Sequence, residues 1–291
     1  MFNIRIPQRN ARQRLRPRSR SGGAGLLRIM LGLGMAAFAL ISFFSSRVYN
    51  PVVGENQYVS ITPEQEIALG LQSAPEMINQ FDGLDTDPRA QQIVQIVGQR
   101  LVQSSIANQA DYPYEFHLLA DEDTINAFAL PGGQVFITRA LFDRIETEGQ
   151  LAGVLSHEIV HVISRHGAQH IAESQLTQGL TGAVVLATYD PNDPRSRNTA
   201  QVAVLIGQLV NMKFGREDEI QSDTLGVKIM SQAGYDPRSM VEVMQILAES
   251  SSSNRPPEFF STHPNPENRI GKIQAAIQDV FPNGVPDGLI R

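Results

Sequence analysis

The sequence predicts an α+β protein, mostly helical, with a small sheet in its first half and one membrane-crossing helix ahead of the domain. Three observations carry this. An arginine-rich segment runs into sixteen uncharged residues, two short alternating segments lie at 114–119 and 133–138, and capped apolar stripes at helical spacing fill most of the rest. At 291 residues and 42% apolar content, the chain is long enough for one good-sized domain plus an appendage.

The first 28 residues hold eight arginines, and no Asp or Glu precedes Glu55. The overall charge of −6 hides this split, because the remainder carries sixteen basic against thirty acidic residues. An acidic body excludes nucleic acid as the main partner, since phosphate binding needs clustered positive charge. Ile29 to Phe44 is free of charge. Counted from Leu26, with Arg28 reaching back to the headgroups, the stretch approaches the ~20 residues that cross a bilayer core as a helix. Residues 1–25 then read as a cytoplasmic tail and 26–46 as a lipid-embedded anchor, with the rest carried across by the positive-inside rule. A cleaved signal peptide is the competing reading, but Phe44-Ser45-Ser46 is a poor cleavage site.

Residues 47–62 show no periodicity and read as a linker, with the domain at 63–283. Thr62-Pro63-Glu64 supplies an N-cap, a first-turn proline and a first-turn acid for a helix to about Gln80. Asp87-Pro88 opens another to about Ser104, striped by Ile93, Val94, Ile96, Val97 and Leu101. Tyr114–Leu119 and Gly133–Thr138 read as strands, the second after a Pro131-Gly132-Gly133 turn. Thr147-x-x-Gln150 fits a capping box for a helix to about Gly167. Residues 171–187 and 199–213 read as apolar helices around a turn-rich loop at 189–195. Further helices are expected at 216–233, 237–249 and 266–280, with a flexible break at 250–257. The apolar segments 180–188 and 202–212 are each too short to span a bilayer and read as core or as a lid over a cleft.

His157-Glu158-Ile159-Val160-His161 falls inside the helix capped at Thr147. Positions four apart lie one turn above each other on one face, so two imidazoles can reach a single zinc ion. Glu158 sits about a quarter-turn round, suited to acting on water rather than on the metal. With no cysteine in the chain, a transition metal must rest on His, Asp and Glu. Glu219 supplies a third, carboxylate ligand. Asp223, one turn on, can accept the second ring N–H of a ligating histidine. His166 and His170 repeat the spacing of four but with no acid between them, and read as surface or supporting residues. His117 reads as a packed strand histidine.

His-Glu-x-x-His followed some sixty residues later by Glu-x-x-x-Asp resembles the HtpX/Oma-like zinc metallopeptidases. This is the gluzincin family of the CAAX prenyl protease, here in a periplasmic, stand-alone form. Asn126–Gly133, Leu151–His161, Arg165-His166-Gly167 and Ser261-Thr262-His263-Pro264 with Arg269 resemble further motifs of that family, and the likeness covers roughly 60–280. The resemblance implies a zincin-like domain with one Zn2+ and a metalloendopeptidase that acts on polypeptides in protein quality control. It places that domain on the periplasmic side of a bacterial inner membrane. It also implies that Glu158 is the general base and that His263 or Arg269 faces the oxyanion, with His263 alternatively a resting metal ligand. Substrate backbone is expected to add to the strand at Gln134–Thr138, contacting Gln134, Val135 and Phe136, with Asn126 and Ala127 at the same cleft. A metal-binding, chaperone-like module on the same fold is the alternative, and an intact Glu158 argues against it.

Overall fold

The computed structural model describes residues 22–188, 215–250, 257–263 and 268–291. The expected helices at 199–213 and the loop at 189–195 lie outside the described residues.

Helix α1, Gly22–Ser45, is the one helix among the described residues that is long and apolar enough to cross a membrane, and almost none of it is buried. The expected linker is in fact a hairpin. β1 (Arg47–Asn50) pairs antiparallel with β2 (Glu55–Tyr58), and Gly54 turns the chain at φ +76°. Its anchors are polar, which is why no apolar alternation announces it. Asn50 donates to the Ile163 carbonyl at 2.7 Å and Gln57 to the Ser164 carbonyl at 2.7 Å. These are carbonyls that the end of a helix leaves without a partner.

Helices α2 (Pro63–Gln80) and α3 (Pro88–Gln103) begin at the expected caps, Thr62 and Asp87. Between α3 and the next helices lies a three-stranded sheet in the order β3-β5-β4, with β3 at Glu115–Leu119, β4 at Ala127–Leu130 and β5 at Gln134–Thr138. β3 runs parallel to β5, and β4 folds back on β5 as an antiparallel hairpin. Gly132 and Gly133 make that turn at φ +87° and +107°, where a Cβ on Gly132 would strike the backbone of α2.

This order corrects one expectation. Gln134–Thr138 is the central strand, paired on both sides, so no peptide can add to it. One face of the sheet, with Phe116, Leu118, Val135 and Ile137, packs into the main core. The other, with Leu119, Phe128 and Phe136, packs under α2 and Phe81. Strands buried on both faces read as apolar runs, and apolarity alone does not distinguish a centre from an edge.

Helix α4 is a single turn at Arg139–Phe142. Helix α5, Glu148–Ile163, runs through the middle of the domain with every residue buried except Glu148 and His161. Thr147 accepts from the Gln150 N–H as expected, while the Gln150 side chain reaches back to Glu146 N–H, one residue earlier than a capping box. The helix stops four residues short of Gly167, because Arg165 adopts φ +55° and starts a new helix, α6, His166–Thr188. A helix over 215–232, α7, lies beside α5. α8 (Arg238–Ser250), the single-turn α9 (Phe259–Thr262) and α10 (Arg269–Val280) complete the shell. The last residues are part of the body: Ile290 bridges to Tyr235, and the Arg291 guanidinium pairs with Glu242.

Candidate metal centre

Four ligating atoms converge in the core of the domain, from His157, His161, Glu219 and His263, all within 4.8 Å of one another. Helix α5 supplies the first two on adjacent turns of one face. α7 brings Glu219 over them. His263 arrives from the C-terminal end of α9, stacked on Phe259 with ring centroids 4.5 Å apart.

The spacing within this set is informative. His157 Nε2 lies 3.1 Å from His161 Nε2 and 3.3 Å from Glu219 Oε2, and His161 Nε2 lies 3.3 Å from Glu219 Oε1. His263 Nδ1 lies 3.3 Å from His157 Nε2 and 3.0 Å from Glu219 Oε1. A tetrahedral metal with bonds of about 2.0–2.1 Å requires ligand-to-ligand edges of about 3.3 Å. The residues therefore fit a divalent metal. Hydrogen bonding agrees: Glu219 Oε2 and both oxygens of Glu158 are buried and accept no hydrogen bond from the protein. Their ion pairs are long, 3.3 Å from Arg269 Nη1 to Glu219 Oε2 and 3.5 Å from His263 Nε2 to Glu158 Oε1. Buried carboxylate oxygens without a donor are costly unless a ligand serves them.

Behind the cluster is a buried ionic pair. Asp223 Oδ1 is 3.0 Å from His157 Nδ1, and Arg269 grips the same carboxylate through Nε at 2.6 Å and Nη2 at 2.9 Å. With its Nδ1 proton directed at Asp223, His157 presents the Nε2 lone pair to the cluster. Burial opposes charge on Asp223, yet the hydrogen bonds from His157 and Arg269 hold its carboxyl below the usual range. Glu219 is lowered in the same way, with His157 and His161 overriding its burial. Glu158 moves in the opposite direction: burial raises it above an ordinary glutamate, despite His263 and His157 nearby.

The cluster opens into a cavity of about 530 Å³, lined by Phe128–Leu130 of β4 and the following Pro131 on one side and by Arg165–Ala168 and His170 on the other. Glu158, His161, Glu219 and His263 form its floor. β4 is an edge strand here. Its Asn126 end exchanges hydrogen bonds with Thr138, while the Ala127 carbonyl points away from the sheet to His263 Nε2 at 3.2 Å. Two residues on, Ala129 directs its N–H and C=O to that same free side.

The structure thus gathers Glu158, His157, His161, Glu219, Asp223, His263, Arg269 and Ala127 at one place. Asn126 is buried at the root of β4. Gln134, Val135 and Phe136 are not at the cavity: Gln134 bonds His117 at 2.9 Å, and the other two face opposite cores. Sequence reasoning missed Phe128–Pro131 as the cleft wall. His166, expected as a surface or supporting residue, takes the supporting place: its Nδ1 lies 3.0 Å from His161 Nδ1 and its Nε2 is held by Gln221 at 2.7 Å. Arg165 places His166 there by breaking the helix, and no spacing rule encodes that. His170, expected as a surface or supporting residue, is exposed and pairs with Asp218 at 2.7 Å.

Residues 88–277 match the family model described as peptidase family M48. The chain is 33% identical over 249 residues to the β-barrel assembly-enhancing protease of Escherichia coli (strain K12), covering 80% of this chain and 48% of that one. It is 27% identical over 237 residues to the mitochondrial metalloendopeptidase OMA1 of Schizosaccharomyces pombe, covering 80% and 67%. For OMA1 of Danio rerio the identity is 28% over 263 residues, covering 86% and 54%. The chain thus spans about half the length of the bacterial relatives it matches. With a family match over most of its length and a metal-ligating cluster on the matched helices, the chain belongs to peptidase family M48.

Proposed function

We propose that the chain is a membrane-anchored zinc endopeptidase, with His157, His161 and Glu219 as the metal ligands and Glu158 as the general base. The observation that carries this is the tetrahedral spacing of the donor set beside a buried carboxylate that accepts no hydrogen bond from the protein. A two-histidine, one-carboxylate set with tetrahedral edges favours zinc over metals that prefer six oxygen ligands. When bound, zinc supplies a Lewis acid for the scissile carbonyl and acidifies water at the site.

The chain's own residues do the rest. Glu158 accepts the proton of the attacking water and returns it to the leaving amine, and its burial-raised pKa suits it to both transfers. Asp223 and Arg269 keep His157 in one tautomer and orientation. Because Arg269 spends Nε and Nη2 on Asp223, it acts as a positioning residue. His263 is then the group left to face the oxyanion or to close the metal site at rest. Substrate adds as a strand to β4 at Ala129, a contact that reads backbone more than side chains. The polypeptides are those of the membrane or envelope, misfolded ones included. The name of the Escherichia coli relative, the anchor helix and the arginine tail support this, with the domain on the extracytoplasmic side of a bacterial inner membrane. Digestion of unfolded casein, followed by mass spectrometry, tests the reaction class. Internal cuts are expected, and stepwise loss of terminal residues would contradict an endopeptidase.

Ala129→Pro is expected to lower kcat/KM on peptides about tenfold, by removing one outward N–H worth roughly 1–1.5 kcal/mol. Proline is tolerated on an edge strand, so metal content and Tm should stay close to wild type. Unchanged kinetics would place the substrate elsewhere.

Metal binding should depend on pH. Burial alone would lower the His157 pKa, but the charge of Glu219 and the hydrogen bond to Asp223 override it and raise it to about 9 in the metal-free protein. A ligand must be deprotonated, so metal entry expels this proton, and affinity should climb about tenfold per pH unit up to about pH 9. Competition against a chromophoric chelator reads this directly. An affinity flat between about pH 7 and 9 would contradict it.

A further inference from the structure

We infer that α6 crosses the bilayer beside α1, so that the catalytic cleft opens at the membrane surface. This rests on the reading of α1 as a membrane anchor. The two helices pack antiparallel over their length. A Cβ on Gly32 would meet the Ala183 carbonyl at 2.8 Å and Ala187 at 3.0 Å, and one on Gly179 would meet Ala39 at 2.7 Å. Backbones that approach this closely through small residues pack as helices do in lipid, where no hydrophobic force draws them together.

The register of that packing carries the inference. Setting Gly179 beside Ala39 and Ala183–Ala187 around Gly32 pairs the two helices residue by residue, and their charges then coincide. The uncharged run of α1, Ile29–Phe44, lies alongside residues 174–188 of α6, which are likewise uncharged. Glu173 falls level with Ser45, where the anchor leaves the apolar layer, and the next charge in the sequence after Glu173 is Asp190, beyond the described end of α6 at Thr188. Ala187 already lies about 20 Å along α1 from Ser45, within an apolar layer about 30 Å thick. If α1 is in lipid, this part of α6 cannot be in water. Val184 and Leu186 are exposed to the same surroundings as Leu33 and Phe38. On sequence alone 180–188 is too short to cross. As the end of a 23-residue helix locked to α1, it is carried to full depth.

The occupant of this face is therefore a lipid bilayer, and the consequence reaches the site. Gly167 and Ala168, at the start of α6, line the cavity. Gly167 is six residues before Glu173 and so about 9 Å outside the apolar layer. A cleft at that height takes segments of membrane proteins that emerge from the bilayer, and it takes freely diffusing chains less readily.

The cysteine-free sequence permits a direct test with the full chain in proteoliposomes. Single cysteines at Val184→Cys and Leu186→Cys carry an environment-sensitive bimane. Leu33→Cys serves as a depth-matched control on α1 and Asp143→Cys as a control in water. Lipids brominated at mid-chain should quench positions 184 and 186 as strongly as position 33, and aqueous iodide should quench only position 143. Iodide quenching of 184 and 186 with lipid quenching of 33 would overturn the inference and leave the anchor standing. Shielding of 184 and 186 from both quenchers would mean that protein covers them, and would also overturn it. Iodide quenching of 33 as well would show that the anchor reading itself has failed, and this inference with it.

Discussion

Glu158→Gln is expected to lower kcat on unfolded casein by about a thousandfold or more, the upper range for removing a general base. Metal content should remain at wild-type level, because Glu158 lies beside the donor set and outside it. Neither Glu158 oxygen accepts a hydrogen bond from the protein, so the substitution removes a buried charge and loses only the long ion pair to His263 Nε2 at 3.5 Å. Tm should therefore be no lower than that of wild type. Cleavage at wild-type rate would remove Glu158 from the chemistry. A parallel loss of metal would instead make it a ligand.

The second large effect is on stability and metal together. Asp223→Ala removes the bidentate partner of the Arg269 guanidinium, 4% exposed, leaving it only the ion pair to Glu219 Oε2 at 3.3 Å, and leaves His157 Nδ1 without an acceptor. Stranding one member of a buried ion pair costs about 3–5 kcal/mol, or roughly 10 °C in Tm for a chain of this size. Metal affinity should fall by about 10–100-fold, the usual cost of losing a carboxylate that orients a ligating histidine. Adding Arg269→Met removes the stranded charge and should restore much of the Tm without restoring the metal affinity. That separation, read by a double-mutant cycle, distinguishes orientation of His157 from simple packing. If the double variant recovers neither property, Asp223 acts as a structural residue alone.

What was legible in the sequence is what local chemistry encodes. Thr62 and Asp87 cap the helices they were expected to cap, because a side chain three residues from an N–H is a local arrangement. His157 and His161 share a face for the same reason, and Glu219 and Asp223 were found by applying that spacing a second time. The rest depends on what packs against what. β4 is four residues long and gains its identity from pairing with β5, so Ala127–Leu130 gave no alternating signal of its own. The hairpin at 47–58 exists because Asn50 and Gln57 serve carbonyls at the far end of α5, more than a hundred residues away. The contact of His166 with His161 needs the left-handed turn at Arg165, which no periodicity announces. The membrane register of α6 likewise appears only once Gly32 and Gly179 are seen against their partners.

The central claim is that one zinc, held by His157, His161 and Glu219, makes this chain a peptidase. Stepwise return of zinc to the chelated full chain, with casein cleavage followed at each addition, tests it most directly. Activity should rise in proportion to zinc and level off at one zinc per chain. Cleavage that persists in the fully chelated protein, or that ignores added zinc, would contradict the account.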